Sequence, residues 1–403
     1  MFFLLPFGND RRTTRFPAIT YALIAMNVAV FLWLLPLDRE SVIQTFGLIP
    51  YHPTMRTILT SMFIHADPMH LAWNMLFLWL FGPNVEDALG RLEYSIFYLG
   101  SGIAASLLHV LVATSYTPMA ADIPMVGASG AIAGILGVFA IRFYKTRIKI
   151  FYYLGIFFYP LKWGTFTIPA LFGLEVWFFQ QLWGGFIGIL HPETGGVAYW
   201  SHIGGMLFGA VLAAVLRMGL AGSQEYLMTD AMDHLQHGTT YGAAENLEAF
   251  LSNDPDNAEA HGELAKIYAL HGDANRALAH YKRSIDLHLS RGDRHKAVGR
   301  FAEMRYYYPN TQLDLRSQFQ LARYLLEIDC PEPALQLFDE IAFTHSGTPE
   351  GEMALMKAGE LAASLGDPPR AALYYHRFLE QYPHSTYRAM VEKSLSGLDR
   401  EQG

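Results

Sequence analysis

Apolar residues form long unbroken runs in the first half of the chain and stripes of helical period in the second. A bilayer core takes about 20 apolar residues per helix. Phe16 to Leu35 is such a run and carries no charge; Tyr94 to Tyr116 and Gly196 to Leu216 are two more. Val126 to Ile141 is shorter and rich in small residues, and Ile168 to Leu190 carries one charge, Glu175. Ile58 to Gly82 is interrupted by His65, Asp67, Pro68, His70 and Asn74. It reads as a loop dipping into the membrane, followed by a helix from about Met69. The pattern predicts six spans. The expected fold is all-α: a six-helix transmembrane bundle over 1–220, a connector over 221–239, and a soluble α-solenoid of helical hairpins over 240–403.

Basic residues orient the spans, because short cytoplasmic loops collect them. One side holds Arg11, Arg12, Arg15, Arg91, Arg142, Lys145, Arg147, Lys149, Lys162 and Arg217. The other holds only Arg39 and Arg56, against Asp38, Glu40, Asp122 and Glu193. Both termini are therefore expected in the cytoplasm, in a multi-pass protein whose surroundings are the lipid bilayer. No leader is evident: Met1 to Gly8 is apolar but too short, and the charges follow it. The formal charge of −8 lies mostly in the second half, and no basic stripe suggests a nucleic-acid partner. The one cysteine, Cys330, precludes an intrachain disulfide.

Spans two, four and six all run from outside to inside, and each carries polar residues near its own beginning. Span two has His70 and Asn74, four apart and so on one helical face. Span four has Ser129 in Gly127-Ala128-Ser129-Gly130, and span six has His202 in Ser201-His202-Ile203-Gly204-Gly205. At about 1.5 Å per residue these side chains share one depth. Polar groups there are costly unless they face a partner or a wet cavity. A serine beside a histidine makes a nucleophile and its base. No acidic residue is placed to orient His202, so the pair would be a dyad. Hydrolysis also needs fixed donors for the oxyanion. Asn74, His70 and the backbone around Gly127 are the candidates, beside the N–H of Ser129 at a helix start.

Each feature has a plainer alternative. Gly-Ala-Ser-Gly is also a helix-packing pattern, and Gly205-xxx-Gly209 reads as one. A lone membrane histidine is commonly a structural hydrogen bonder; His109 is left as such. His65, His70 and His202 fit no common zinc spacing, so neither metal nor cofactor is expected. The weight comes from conjunction on three helices of one direction.

These residues closely resemble the rhomboid family of intramembrane serine proteases. The likeness covers roughly 58–216. It rests on Thr60-Ser61-Met62-Phe63-Ile64-His65, His70-Leu71-Ala72-Trp73-Asn74, Phe81-Gly82-Pro83-Asn84-Val85-Glu86-Asp87, Val126-Gly127-Ala128-Ser129-Gly130 and Ser201-His202-Ile203-Gly204-Gly205-Met206. The resemblance implies a Ser129–His202 dyad, an oxyanion site lined by His70 and Asn74, and a structural polar contact at Glu86. It implies single-span membrane proteins as substrates, admitted sideways past span five and the loop before span six. A bacterial inner membrane is expected on the same ground. Two positions depart from the family. Ala133 stands where some members stack a tyrosine on the base, so His202 must be oriented from elsewhere. Met55-Arg56-Thr57 replaces the Trp-Arg pair some members carry.

In the second half, Leu264, Ala265, Tyr268, Gly272, Ala277 and Tyr281 fall where a tetratricopeptide repeat places its packing residues. Ala243, Leu247, Phe250 and Pro255 give a preceding copy, with Ala243 and Ala277 34 positions apart. Ala334 with Phe338, and Ala371 with Tyr375 and Pro383, repeat the second-helix pattern; Gly292, Ala297, Phe301 and Pro309 do so at a shorter interval. About four hairpins result, whose stacked face suits a peptide or protein ligand. The functional expectation is a membrane serine endopeptidase with a cytoplasmic interaction domain. An inactive scaffold that binds membrane helices is the competing class. A transporter is disfavoured, since the polar residues cluster on one side and no inverted repeat is visible.

Overall fold

A computed structural model describes residues 2–156, 159–191 and 198–401 of the chain. It divides into two compact units, Met1–Tyr226 and Leu227–Gly403. Glu193 and Gly196, used above to orient and bound the last span, lie outside the described residues.

The first unit is mostly helical. Its elements are β1 (Phe2–Asn9), α1 (Ala18–Leu34), α2 (Arg39–Phe46), α3 (Met55–Ser61), α4 (Pro68–Leu89), α5 (Arg91–Tyr116), α6 (Ser129–Arg142), β2 (Arg147–Ile156), β3 (Tyr159–Pro169), α7 (Ala170–Leu190), α8 (Tyr199–Val215) and the start of α9 (Met218–Gln236). Helix α6 is its centre: every residue from Gly130 to Phe139 is buried. That follows from a sequence apolar all round and rich in small residues, which leaves no polar face to put outward. Aromatic rings fill the surrounding core, with Phe81 edge-on to Phe139 at 4.8 Å between centroids.

The expectation of an all-α fold needs correction. Strands β1, β2 and β3 form an antiparallel sheet in that order, with Leu4 opposite Tyr152 and Tyr152 opposite Gly164. The segments Ile148-Lys149-Ile150-Phe151 and Thr165-Phe166-Thr167-Ile168 alternate with period two and are rich in β-branched and aromatic residues. The basic residues from Arg142 to Lys162 read as a cytoplasmic loop between spans, and Met1 to Gly8 as apolar but too short for a leader.

Six independent spans do not follow from helix length. Among the described residues, α5 alone is long and apolar enough to cross a bilayer. Helices α8 and α9 meet that measure jointly, as a pair bent by 69°. Helix α6 has 14 residues and so extends about 21 Å, short of the ~30 Å hydrocarbon core. The reason is local: α6 begins at Ser129, where the chain opens into a cavity instead of running on to a surface.

Polar side chains tie the bundle at one end. The Glu86 carboxylate accepts from the Ile19 and Thr20 N–H groups at 3.0 and 2.8 Å, and from the Thr20 hydroxyl. It thereby caps the opening turn of α1, where free N–H groups and the helix dipole favour an anion. The family resemblance assigned Glu86 a structural contact, and this cap gives it one. The neighbouring Asp87 accepts from Thr14 and Arg15 in the loop before α1. Segment 221–239, taken above as a connector, is largely helix α9. Its Glu225 bridges Arg11 at 2.5 Å and Arg142 at 2.7 Å.

The second unit continues with α10 (Thr240–Asn253), α11 (Ala258–Leu270), α12 (Ala274–Ser290), α13 (Arg294–Tyr307), α14 (Leu315–Glu327), α15 (Pro331–Thr344), α16 (Pro349–Ser364), α17 (Pro368–Gln381) and α18 (Arg388–Glu401). The small and aromatic residues of the repeat pattern are its core. Ala243, Ala265, Ala277, Ala297, Ala334 and Ala371 are buried, as are Tyr281, Phe338 and Tyr375. Gly272 closes α11 at φ +77°, a left-handed position that a side chain would strain, and Asp273 then caps α12.

Between α11 and α13, Arg300 donates to Glu259, Glu263 and Glu303 at 2.6–3.0 Å. Arg300→Met should leave three carboxylates facing one another and lower stability by about 2 kcal/mol at pH 7. In the intact protein, hydrogen bonding from Lys296 and Arg300 outweighs burial and holds Glu259 below the usual carboxylate range. That stabilisation is present above the unfolded pKa and fades as pH falls through the depressed one. The gap between variant and parent in urea unfolding should therefore narrow toward pH 4; a gap independent of pH would assign the loss to packing.

Candidate active site

Ser129 is the first residue of α6 and stands two residues after Gly127, whose φ of +122° turns the chain sharply ahead of the helix. Its Oγ is 2.8 Å from Nε2 of His202, which lies in the first turns of α8. Glycines make that approach possible. A Cβ on Gly130 would strike Ser201, one on Gly205 the Gly130 carbonyl, and one on Gly209 the Gly134 carbonyl. Helices α6 and α8 are thus in backbone contact, which brings their leading turns within hydrogen-bond reach.

The pair lies on a cavity of about 580 Å³ lined also by His70, Asn74, His109 and Trp177. His70 and Asn74 sit on the opening turns of α4, where the Asp67 side chain caps the His70 N–H at 2.8 Å. The His70 ring packs against Gly127: a Cβ there would lie 2.7 Å from its Nε2 and 3.7 Å from Ser129 Oγ. Asn74 is buried, and its amide donates one hydrogen to the His70 carbonyl at 3.0 Å. A second amide hydrogen remains for the cavity. Gly127 corrects the expected donor set. Its N–H is engaged by the Ser61 carbonyl at 2.8 Å, so its contribution is close approach and not donation.

Sequence reasoning found no residue to orient His202. The structure puts two beside it, both from α7. The Trp177 ring lies over the imidazole, 5.7 Å between centroids and tilted by 34°. Gln181, buried on the same face, is 2.8 Å from the other ring nitrogen, Nδ1. The signal was present in the chain as Gln180-Gln181, uncharged polar residues inside an apolar run. Ala133, where a stacking ring was lacking, lines the same cavity. His65 is buried beside His70, with ring centroids 5.2 Å apart, and lies outside the Ser129–His202 contact. Chemically the arrangement offers a hydroxyl bonded to a basic nitrogen, an amide donor and helix-end N–H groups around one cavity.

Comparison with known proteins finds family likenesses in both halves of the chain. A rhomboid domain model matches residues 52–219, and tetratricopeptide repeat models match 229–293 and 353–385. The first repeat match begins within α9. The chain is 32% identical over 196 residues to Rhomboid protein 1, mitochondrial, of Saccharomyces cerevisiae, covering 48% of this chain and 51% of that protein. It is 29% identical over 191 residues to the Presenilin-associated rhomboid-like protein, mitochondrial, of Pongo abelii, covering 46% and 45%. Rhomboid protease AarA of Providencia stuartii matches at 28% over 213 residues, 49% of this chain and 71% of that one. The chain thus spans about half the length of the first two relatives. The matched segment holds Ser129, His202, His70, Asn74, His109, Trp177 and Gln181, so the chain carries a rhomboid domain, joined to tetratricopeptide repeats.

Proposed function

We propose that this protein is an intramembrane serine endopeptidase that cuts single-span membrane proteins in or near their helices. The observation that supports this best is the 2.8 Å contact between Ser129 Oγ and His202 Nε2 beside a cavity. Ser129 Oγ attacks the scissile carbonyl carbon while its proton passes to Nε2. The developing oxyanion is met by the free Asn74 amide hydrogen and by N–H groups at the start of α6, whose dipole favours negative charge. His202 returns the proton to the leaving amine, and water then hydrolyses the acyl-serine with His202 as base. The expected setting is a multi-pass protein of a bacterial inner membrane with both termini cytoplasmic, and 1–220 as the membrane protease domain. The repeats over 240–403 would bind a peptide or protein partner.

The decisive experiment is cleavage of a tagged single-span protein by the purified full chain in liposomes. No cleavage across several unrelated helices, by protein shown to be folded, would favour an inactive scaffold. Asn74→Ala should lower turnover by roughly 10²–10³ with the fold retained, if the amide serves the oxyanion. Unchanged kcat would remove Asn74 from the mechanism.

A further inference from the structure

Resting on that reading, we infer that Gln181 is a positioning residue for His202: it selects the tautomer whose Nε2 can take the serine proton. The amide cannot face His202 either way round. Its Nε2 donates to the Trp177 carbonyl one turn back on α7, at 3.3 Å, which leaves Oε1 toward the imidazole. Oε1 has lone pairs only, so the imidazole Nδ1 must carry the hydrogen in the 2.8 Å contact. A neutral imidazole has one N–H, and Nε2 is then left as acceptor for Ser129. The chain Trp177 carbonyl, Gln181 amide, His202 ring, Ser129 hydroxyl is thereby polarised in one direction, from helix α7 across α8 to α6. In a Ser-His-Asp triad a carboxylate does this work and also stabilises the imidazolium. A primary amide does the first without the negative charge. It also leaves no anion to be desolvated, which suits a site surrounded by apolar helices. The Trp177 ring lies over the imidazole and packs against a rotation that would carry both nitrogens off Gln181 and Ser129.

The test uses the full chain in detergent with a fluorophosphonate probe, whose reaction rate with Ser129 reports the dyad without a known substrate. Gln181→Leu keeps the volume but not the hydrogen bond; its labelling rate and the kcat for a tagged single-span protein should fall roughly 10–100-fold, with KM little changed. Gln181→Glu should restore orientation and move the acidic limb of the pH–rate profile, where the base His202 loses its proton, upward by about one unit or more, as a carboxylate beside an imidazole does. A space-filling role alone would not move that limb. Should Gln181→Leu fail to fold, the ring nitrogens of His202 in the intact protein can be read by ¹⁵N NMR. An Nδ1–H tautomer is expected, and an Nε2–H tautomer overturns the inference. Wild-type kcat and pH profile in both variants would also overturn it. Failure of the protease reading is distinct: the folded parent would then neither label nor cleave, while the tautomer of His202 read by ¹⁵N NMR would still test Gln181.

Discussion

Ser129→Ala is expected to abolish cleavage while leaving the protein folded, and His202→Ala to do the same. The loss should be roughly 10⁴–10⁶ in kcat for either change. Removing Oγ deletes the bond-forming atom; removing the imidazole leaves a serine hydroxyl with no acceptor for its proton. The double variant should be no worse than either single one, because the two groups act as a unit. Alanine is well suited to the first position of a helix, so a stability change beyond about 1 kcal/mol is not expected for Ser129→Ala. Cleavage of a tagged single-span protein in liposomes and labelling by a fluorophosphonate read the two functions, and thermal unfolding reads the fold. Residual cleavage by Ser129→Ala above about a hundredth of the parent's would place the nucleophile elsewhere.

Gly209→Val should be nearly as damaging, by a different route. Gly209 lies two turns beyond His202 on α8 and its Cβ position runs into the Gly134 carbonyl of α6. That obstacle is backbone, so no side chain can move aside. The same holds at Gly137, whose Cβ position meets the Met206 carbonyl. A valine must therefore push α6 and α8 apart. The dyad hydrogen bond joins these two helices, and a displacement of about 1 Å is enough to cost roughly 10² in rate. The strain should also lower stability by about 2–4 kcal/mol. Gly100→Ala is the control on α5: its nearest neighbour is the Phe208 ring at 3.4 Å, an ordinary contact. If Gly209→Val cleaves like the parent, close backbone approach is not what brings Ser129 to His202.

The site was legible in the sequence where chemistry and helix direction coincide. Ser129, His202, His70 and Asn74 stood out because polar residues at one depth of three apolar runs are costly without a shared cavity. Gln181 escaped notice because an uncharged amide in such a run raises no charge signal, and because α7 belongs to the opposite direction. Gly127 was given a donor role that its Ser61 contact occupies; which carbonyl an N–H finds depends on the fold of a distant loop. The sheet was hidden by its basic residues. The stretch from Arg147 to Lys162 was counted for them as a loop, and the apolar positions between them were not tested for a period of two. In the second unit the alanine and aromatic spacing was sufficient, because a repeat buries the same positions in each copy.

The sheet has a consequence for the order of biosynthesis. Strand β1 is made before α1 to α6, yet its partner β2 follows all of them. Leu4 cannot meet Tyr152 until most of the helical bundle has left the ribosome. Through that interval Phe3, Leu4 and Leu5 form an unpaired apolar strand, the kind of segment that invites pairing with other chains. Strand β1 is thus made early and paired late, after the helices that separate it from β2 in the chain.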